Sequence, residues 1–124
     1  MSPKQYNAFC KSLPHSTYVV QWGGAHVWKI GGKVFAIGGW NKDESDETLA
    51  VTFKCSDISY DLLKQEPGCR PAPYLASRGM KWIQRVTDDS IDDATLEAYI
   101  RESYRLASLN LTKKLQKELG LNQD

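Results

Sequence analysis

The chain has 124 residues, of which 41% are apolar and 25% charged, with a formal net charge of +1. That length fits a single domain over residues 1–124 with a core large enough to fold without a disulfide or metal staple. No apolar run approaches the roughly 20 residues needed to span a bilayer, and the charge excludes a strongly basic histone-like protein.

Ser2-Pro3 reads as an N-cap followed by proline in the first helical turn. Tyr6, Phe9, Cys10 and Leu13 then recur at helical spacing, predicting a short amphipathic helix over residues 3–12 that stops before Pro14. Residues 16–22 are rich in β-branched and aromatic side chains and end at Gly23-Gly24, which predicts a strand. Residues 25–30 and 33–37 are two further strand-like runs separated by Gly31-Gly32, a pair suited to the positive φ angles of a two-residue hairpin turn. An uninterrupted register from that turn sets Ile30 opposite Lys33, Trp28 opposite Phe35 and His26 opposite Ile37. One face then carries His26, Trp28, Ile30, Phe35 and Ile37, and the other Val27, Lys29, Val34 and Ala36.

Residues 41–48 are polar and acidic, predicting a loop before a fourth strand over 49–55. Ser56 is placed to cap a helix over 57–65, which ends before Pro67-Gly68. Pro71 and Pro73 make 69–76 a loop without helix or central strand. Residues 80–86 form the last predicted strand. Asp92 caps a long helix in which Leu96, Ile100, Tyr104, Ala107, Leu111, Leu115 and Leu119 repeat every three or four residues, with a break near Asn110 and Thr112. The order α-β-β-β-β-α-β-α predicts an α+β fold, an antiparallel sheet of about five strands packed with helices that leave one sheet face partly open.

The near-neutral total hides a strong asymmetry. Residues 1–41 carry four lysines and no acid, 42–48 sum to −3, 49–86 to +3, and 87–124 to −3. Uneven charge of this kind bears on partners. Lys29 and Lys33 flank the hairpin turn, while Arg70, Arg78, Lys81 and Arg85 surround the proline loop and last strand, interleaved with Tyr74 and Trp82. Basic side chains contact phosphates and neighbouring aromatics stack on bases.

Other chemistries lack their residues. The Gly-Gly pairs match neither phosphate-binding glycine motif and mark turns. His15, His26 and the three cysteines have no metal-ligand spacing, so neither a metal nor a cofactor is expected. Cys10, Cys55 and Cys69 are an odd count without CxxC, as expected of reduced thiols in a cytoplasmic protein. Cys55 precedes a helix, which could lower its pKa, but a buried structural thiol is the simpler expectation. Adjacent carboxylates such as Asp88-Asp89 and Asp92-Asp93 fit loops and helix starts. No acid, base and nucleophile converge, so no enzyme is expected.

Residues 22–36, with Trp22-Gly23-Gly24, Trp28-Lys29-Ile30, Gly32-Lys33-Val34-Phe35-Ala36, resemble a characteristic block of the MmcQ/YjbR family. Pro67-Gly68 with Pro71-Ala72-Pro73-Tyr74-Leu75-Ala76, then Trp82-Ile83, is similar to a second block. Ser103-Tyr104 with Leu111-Thr112-Lys113-Lys114 is similar to a third, with Thr112 where the family often has proline. The resemblance covers essentially the whole chain. It implies a CyaY-like fold and a small bacterial cytosolic protein that binds DNA through a double-wing arrangement, its wings the Gly31-Gly32 hairpin and the loop from Pro71 to Arg78, with no catalytic residues. On this reading Lys29, Gly31, Gly32, Lys33, Arg70, Arg78 and Lys81 form the nucleic-acid-binding set, and a monomer binds DNA weakly and in a salt-sensitive way, with no membrane partner. The alternative is a small-molecule or protein-interaction module using Trp22, His26, Tyr74 and Trp82 as a pocket.

Overall fold

A computed structural model describes residues 1–40, 49–75 and 78–123. The acidic loop expected over 41–48 and part of the proline loop lie outside the described residues. Helix α1 (Pro3–Ser12) precedes strands β1 (Ser16–Gln21), β2 (Ala25–Ile30), β3 (Lys33–Gly38) and β4 (Val51–Lys54). Helix α2 (Asp57–Leu63), strands β5 (Cys69–Pro71) and β6 (Trp82–Arg85), and helices α3 (Asp93–Ser108) and α4 (Lys113–Leu119) follow. The six strands form one antiparallel sheet in the order β1-β2-β3-β4-β6-β5.

The helices begin where side chains satisfy their first amides. Ser2 makes a capping box with Gln5, and Ser56, Asp92 and Thr112 each accept from the amide three residues on. Thr112 thus starts a separate helix and splits the long apolar repeat after Ser108. The sixth strand is β5, at the sheet's edge. Pro71 is tolerated there because an edge residue has one side free of ladder bonds.

All four helices pack on one face. Their core joins Tyr6, Cys10, Leu63, Leu96, Ile100, Tyr104 and Leu111 to Trp28, Ile30, Phe35, Val51, Phe53 and Ile83 of the sheet. The opposite face has only a small apolar cluster of Ala25, Val27 and Ile37, with Val34, Trp40 and Leu75 against it. Among the described residues this is a two-layer α+β sandwich with one sheet face free of helices.

The β2–β3 register departs from the uninterrupted hairpin. Ile30 faces Lys33 as expected, but Lys29 pairs with Val34, Trp28 with Ala36, Val27 with Ile37 and His26 with Gly38. Phe35 is an extra residue, so β3 carries a bulge there. Trp28 is therefore not opposite Phe35 and His26 is not opposite Ile37. Ala36 joins the helix-side core, and Ile37 turns to the other face with Val27. Trp28 instead meets Tyr18, with ring centroids 5.0 Å apart. The bulge interrupts the ladder, and α3 compensates. The buried Ser103 hydroxyl donates to the Phe35 carbonyl at 2.6 Å and accepts from the Lys54 amide at 2.9 Å. One side chain thus serves the two backbone groups that lie just beyond the last β3–β4 pair, Ala36 with Phe53.

Candidate binding face of the sheet

Directly opposed residues in an antiparallel pair share a face, so the register defines what the helix-free side presents. Val27 and Ile37, then Thr52, Gln84 and Arg70, form one row across it. Lys29 beside Val34 and Lys54 beside Trp82 lie on the same face. None of the six strands contains Asp or Glu, whereas they contain Lys29, Lys33, Lys54, Arg70 and Arg85. Arg85 points to the helix side. It is buried and bonds the Asp93 carboxylate at 3.0 Å, which the Met1 amino group also bonds at 3.0 Å. Partial burial works against the charged form of Asp93, but these two cations hold its carboxyl below the usual range.

A pocket of about 620 Å³ opens on this face, lined by Trp22, Val34, Ile37, Trp40, Tyr74, Leu75, Arg78, Met80 and Trp82. Its volume is within the roughly 300–1,000 Å³ of small-ligand sites. The floor is supplied by the sheet and the walls by loops. Trp22 and Trp40 approach with centroids 5.7 Å apart at 41°, and Trp40 meets Tyr74 edge-on at 5.6 Å and 82°. The Trp40 indole N–H donates to the Trp22 carbonyl at 3.3 Å, which joins the two loops. Beneath them the buried Gln84 amide donates to the Gly39 carbonyl at 3.1 Å and accepts from Arg70 Nε at 2.6 Å. Arg78 is the pocket's one charged lining residue among the described residues.

Three wall residues have unusual backbones. Trp22, Trp40 and Tyr74 have φ of 53°, 71° and 68°, the left-handed region that large side chains avoid. Each such residue costs about 1–2 kcal/mol and persists only where surrounding structure holds it. Trp22 is 51% exposed and Tyr74 70% exposed, so burial of apolar area offsets little of that cost. Strain of this kind concentrates at binding and catalytic sites.

Of the pocket residues expected from sequence, Trp22, Tyr74 and Trp82 come together here. His26 does not. It lies on the helix-side parity of β2, where its Nδ1 is 2.7 Å from the Tyr18 hydroxyl. Sequence reasoning missed Trp40, whose signal was a lone tryptophan directly after Gly38-Gly39. Val34, Ile37, Leu75 and Met80 carried no signal beyond hydrophobicity.

The expected nucleic-acid set is divided. Lys29, Arg70 and Arg78 are on the helix-free side. Lys33 is exposed beside the turn, with the parity of Ile30, which points toward the helices. The Lys81 ammonium lies 4.8 Å from the Tyr60 ring centroid of α2. The Gly31-Gly32 turn is not a free projection: Leu111 and Leu115 pack where a Gly31 Cβ would stand. Lys54, which sequence reasoning left out, joins Lys29 on the pocket's border because its strand partner is Trp82.

The thiols offer no activated nucleophile. Burial pushes Cys10 well up and Cys55 up to about 11, with Asp57 adding to the latter, and burial also raises Cys69. Among the described residues, no three His, Cys, Asp or Glu side chains are grouped to hold a metal, and no helix is long and apolar enough to cross a membrane.

A family model described as YjbR matches residues 11–106. Among solved structures, a Deinococcus radiodurans protein with a DUF419 domain is similar at a TM-score of 0.81 and 22% identity, covering 99% of this chain and 91% of that one. A Pseudomonas syringae protein is similar at 0.67 and 15% identity, covering 86% of this chain and 99% of that one. No curated protein matches the chain.

Proposed function

The chain belongs to the YjbR family, and from that premise we propose that it is a non-enzymatic DNA-binding module, a cytosolic monomer, whose contact surface is the helix-free face of its sheet. The observation that carries this reading is the charge of that face: the strands set Lys29, Lys54 and Arg70 on it and contain no carboxylate. Lys29, Lys54, Arg70 and Arg78 frame an aromatic pocket on that face. Their side chains are suited to phosphates. The acids of helix α3, Asp93, Glu97 and Glu102, belong to the helical layer behind the sheet.

Fluorescence anisotropy with labelled DNA tests this. Binding is expected at low salt, with a log–log salt slope of about −3 to −4 if four phosphates are neutralised. Lys29→Ala/Lys54→Ala should weaken it at every DNA sequence. Absence of binding at about 20 mM salt, low enough to favour any phosphate contact, sinks the proposal.

The pocket's volume of about 620 Å³ favours a second reading, a module for a small molecule. A metabolite that raises the melting temperature of a protein indifferent to DNA would select it.

A further inference from the structure

We infer that the aromatic pocket receives one unpaired nucleobase, so that the partner is single-stranded DNA and not a duplex; this rests on the DNA-binding reading and specifies its ligand. The argument begins with the walls. Trp22 and Trp40 are tilted by 41° and Trp40 meets Tyr74 at 82°, so the rings enclose a recess and do not form a flat platform. A ring that enters it is contacted on its face and its edge, the two geometries that aromatic groups favour. A base within a duplex is already stacked on both sides and would have to leave the helix first, whereas an unpaired base is available.

The charges fit the rest of a nucleotide. Arg78 lines the pocket itself, and the register sets Lys29 beside Val34 and Lys54 beside Trp82, so cations border the recess on two sides. No described carboxylate lines it. That charge opposes a cationic ligand, which an aromatic enclosure alone would otherwise suit. A flat ring attached to a phosphate chain meets both conditions: stacking inside, negative charge at the border. The Trp40 indole bond to the Trp22 carbonyl and the ring contacts of Trp40 with Trp22 and Tyr74 hold the walls together before the ligand arrives, which reduces the ordering required on binding.

The experiment compares one labelled sequence as single strand and as duplex, with free mononucleotide as a third arm followed by quenching of intrinsic tryptophan fluorescence. Three of the four tryptophans, Trp22, Trp40 and Trp82, line the pocket, and Trp28 is buried in the helix-side core, so a change in quenching reports on the site. Tyr74→Ala and Trp22→Ala alter exposed side chains and leave the helix-side core untouched, and circular dichroism confirms their fold. The single strand should bind at least about tenfold tighter than the duplex, and each variant should lose about five- to a hundredfold for the single strand, the range of one base–aromatic stack. Duplex affinity should not change. Equal binding of strand and duplex, insensitive to both variants, overturns the inference while leaving DNA binding intact. Loss of all binding at low salt overturns the DNA-binding reading itself. Mononucleotide binding without single-strand binding overturns the inference in favour of a free-nucleotide site.

Discussion

An alanine at Gly31 would carry its Cβ to 2.7 Å and 2.8 Å from the two Leu111 methyl carbons and 3.3 Å from Leu115 Cδ2, at a φ of +56°. At the neighbouring Gly32, φ is +84° and nothing lies within 4 Å. The two substitutions share a backbone penalty of about 1–2 kcal/mol for a left-handed non-glycine residue. Only the first must also displace packed leucines, an overpacking cost of about 1–3 kcal/mol. Gly32→Ala should therefore cost about 1–2 kcal/mol and Gly31→Ala about 2–5 kcal/mol in urea unfolding. At this chain length each kcal/mol corresponds to about 3–5 °C in melting temperature. Leu111→Ala supplies the control: in that background the excess cost of Gly31→Ala should largely disappear, a coupling measurable as a double-mutant cycle. Equal costs for the two glycines, or no coupling to Leu111, would refute the docked hairpin and restore the independent wing expected from sequence.

The buried Thr52 Oγ1 has no hydrogen-bond partner among the described residues; Thr52→Val removes an unsatisfied group of nearly the same shape and should stabilise the fold by about 1 kcal/mol, whereas a loss of that size in urea unfolding would show that the hydroxyl is satisfied. The Asp93 carboxyl is held below its ordinary value, so its contribution is present above the unfolded pKa and fades as pH falls through the folded one, below about pH 4. Asp93→Asn should cost about 1–2 kcal/mol near neutral pH, a figure reduced for the half-exposed carboxylate. Its melting curve should converge with that of the parent at acid pH, and parallel curves across pH 3–7 would refute the assignment.

Local chemistry was the readable part of this sequence. Ser2, Ser56 and Asp92 announce helix starts through side chains that act within three residues, and Gly31-Gly32 announces its turn in the same way. The bulge at Phe35 has no such signature. Residues 34–38 carry no polar side chain on either face, so alternation gives no parity to check, and the Ser103 hydroxyl that bonds the Phe35 carbonyl is 68 residues away. The same distance effect hides Arg85, which looks like one more surface cation until Asp93 and the Met1 amino group enclose it. The pocket was half legible. Trp22, Tyr74 and Trp82 stood out by type, but their convergence with Trp40 depends on left-handed backbones, which composition does not reveal. His26 was misplaced because period-two reasoning sees two sides of a strand without knowing which one the helices cover.

Strand β3 is in effect read in two frames. Val34 and Ile37 are three positions apart, a spacing that puts side chains on opposite sides of a regular strand, yet both line the pocket. The frame changes at Phe35, so rules for tolerated replacement reverse there: a polar group at Ala36 invades the helical core, and one at Ile37 only wets the pocket floor. A single-codon deletion at Phe35 would remove the bulge and restore strict alternation, leaving Lys29 opposite Val34 and Trp28 opposite Ala36. Ala36 and Ile37 would keep their sides, and the loss would fall on the helical core, which gives up the Phe35 ring while the pocket floor is spared.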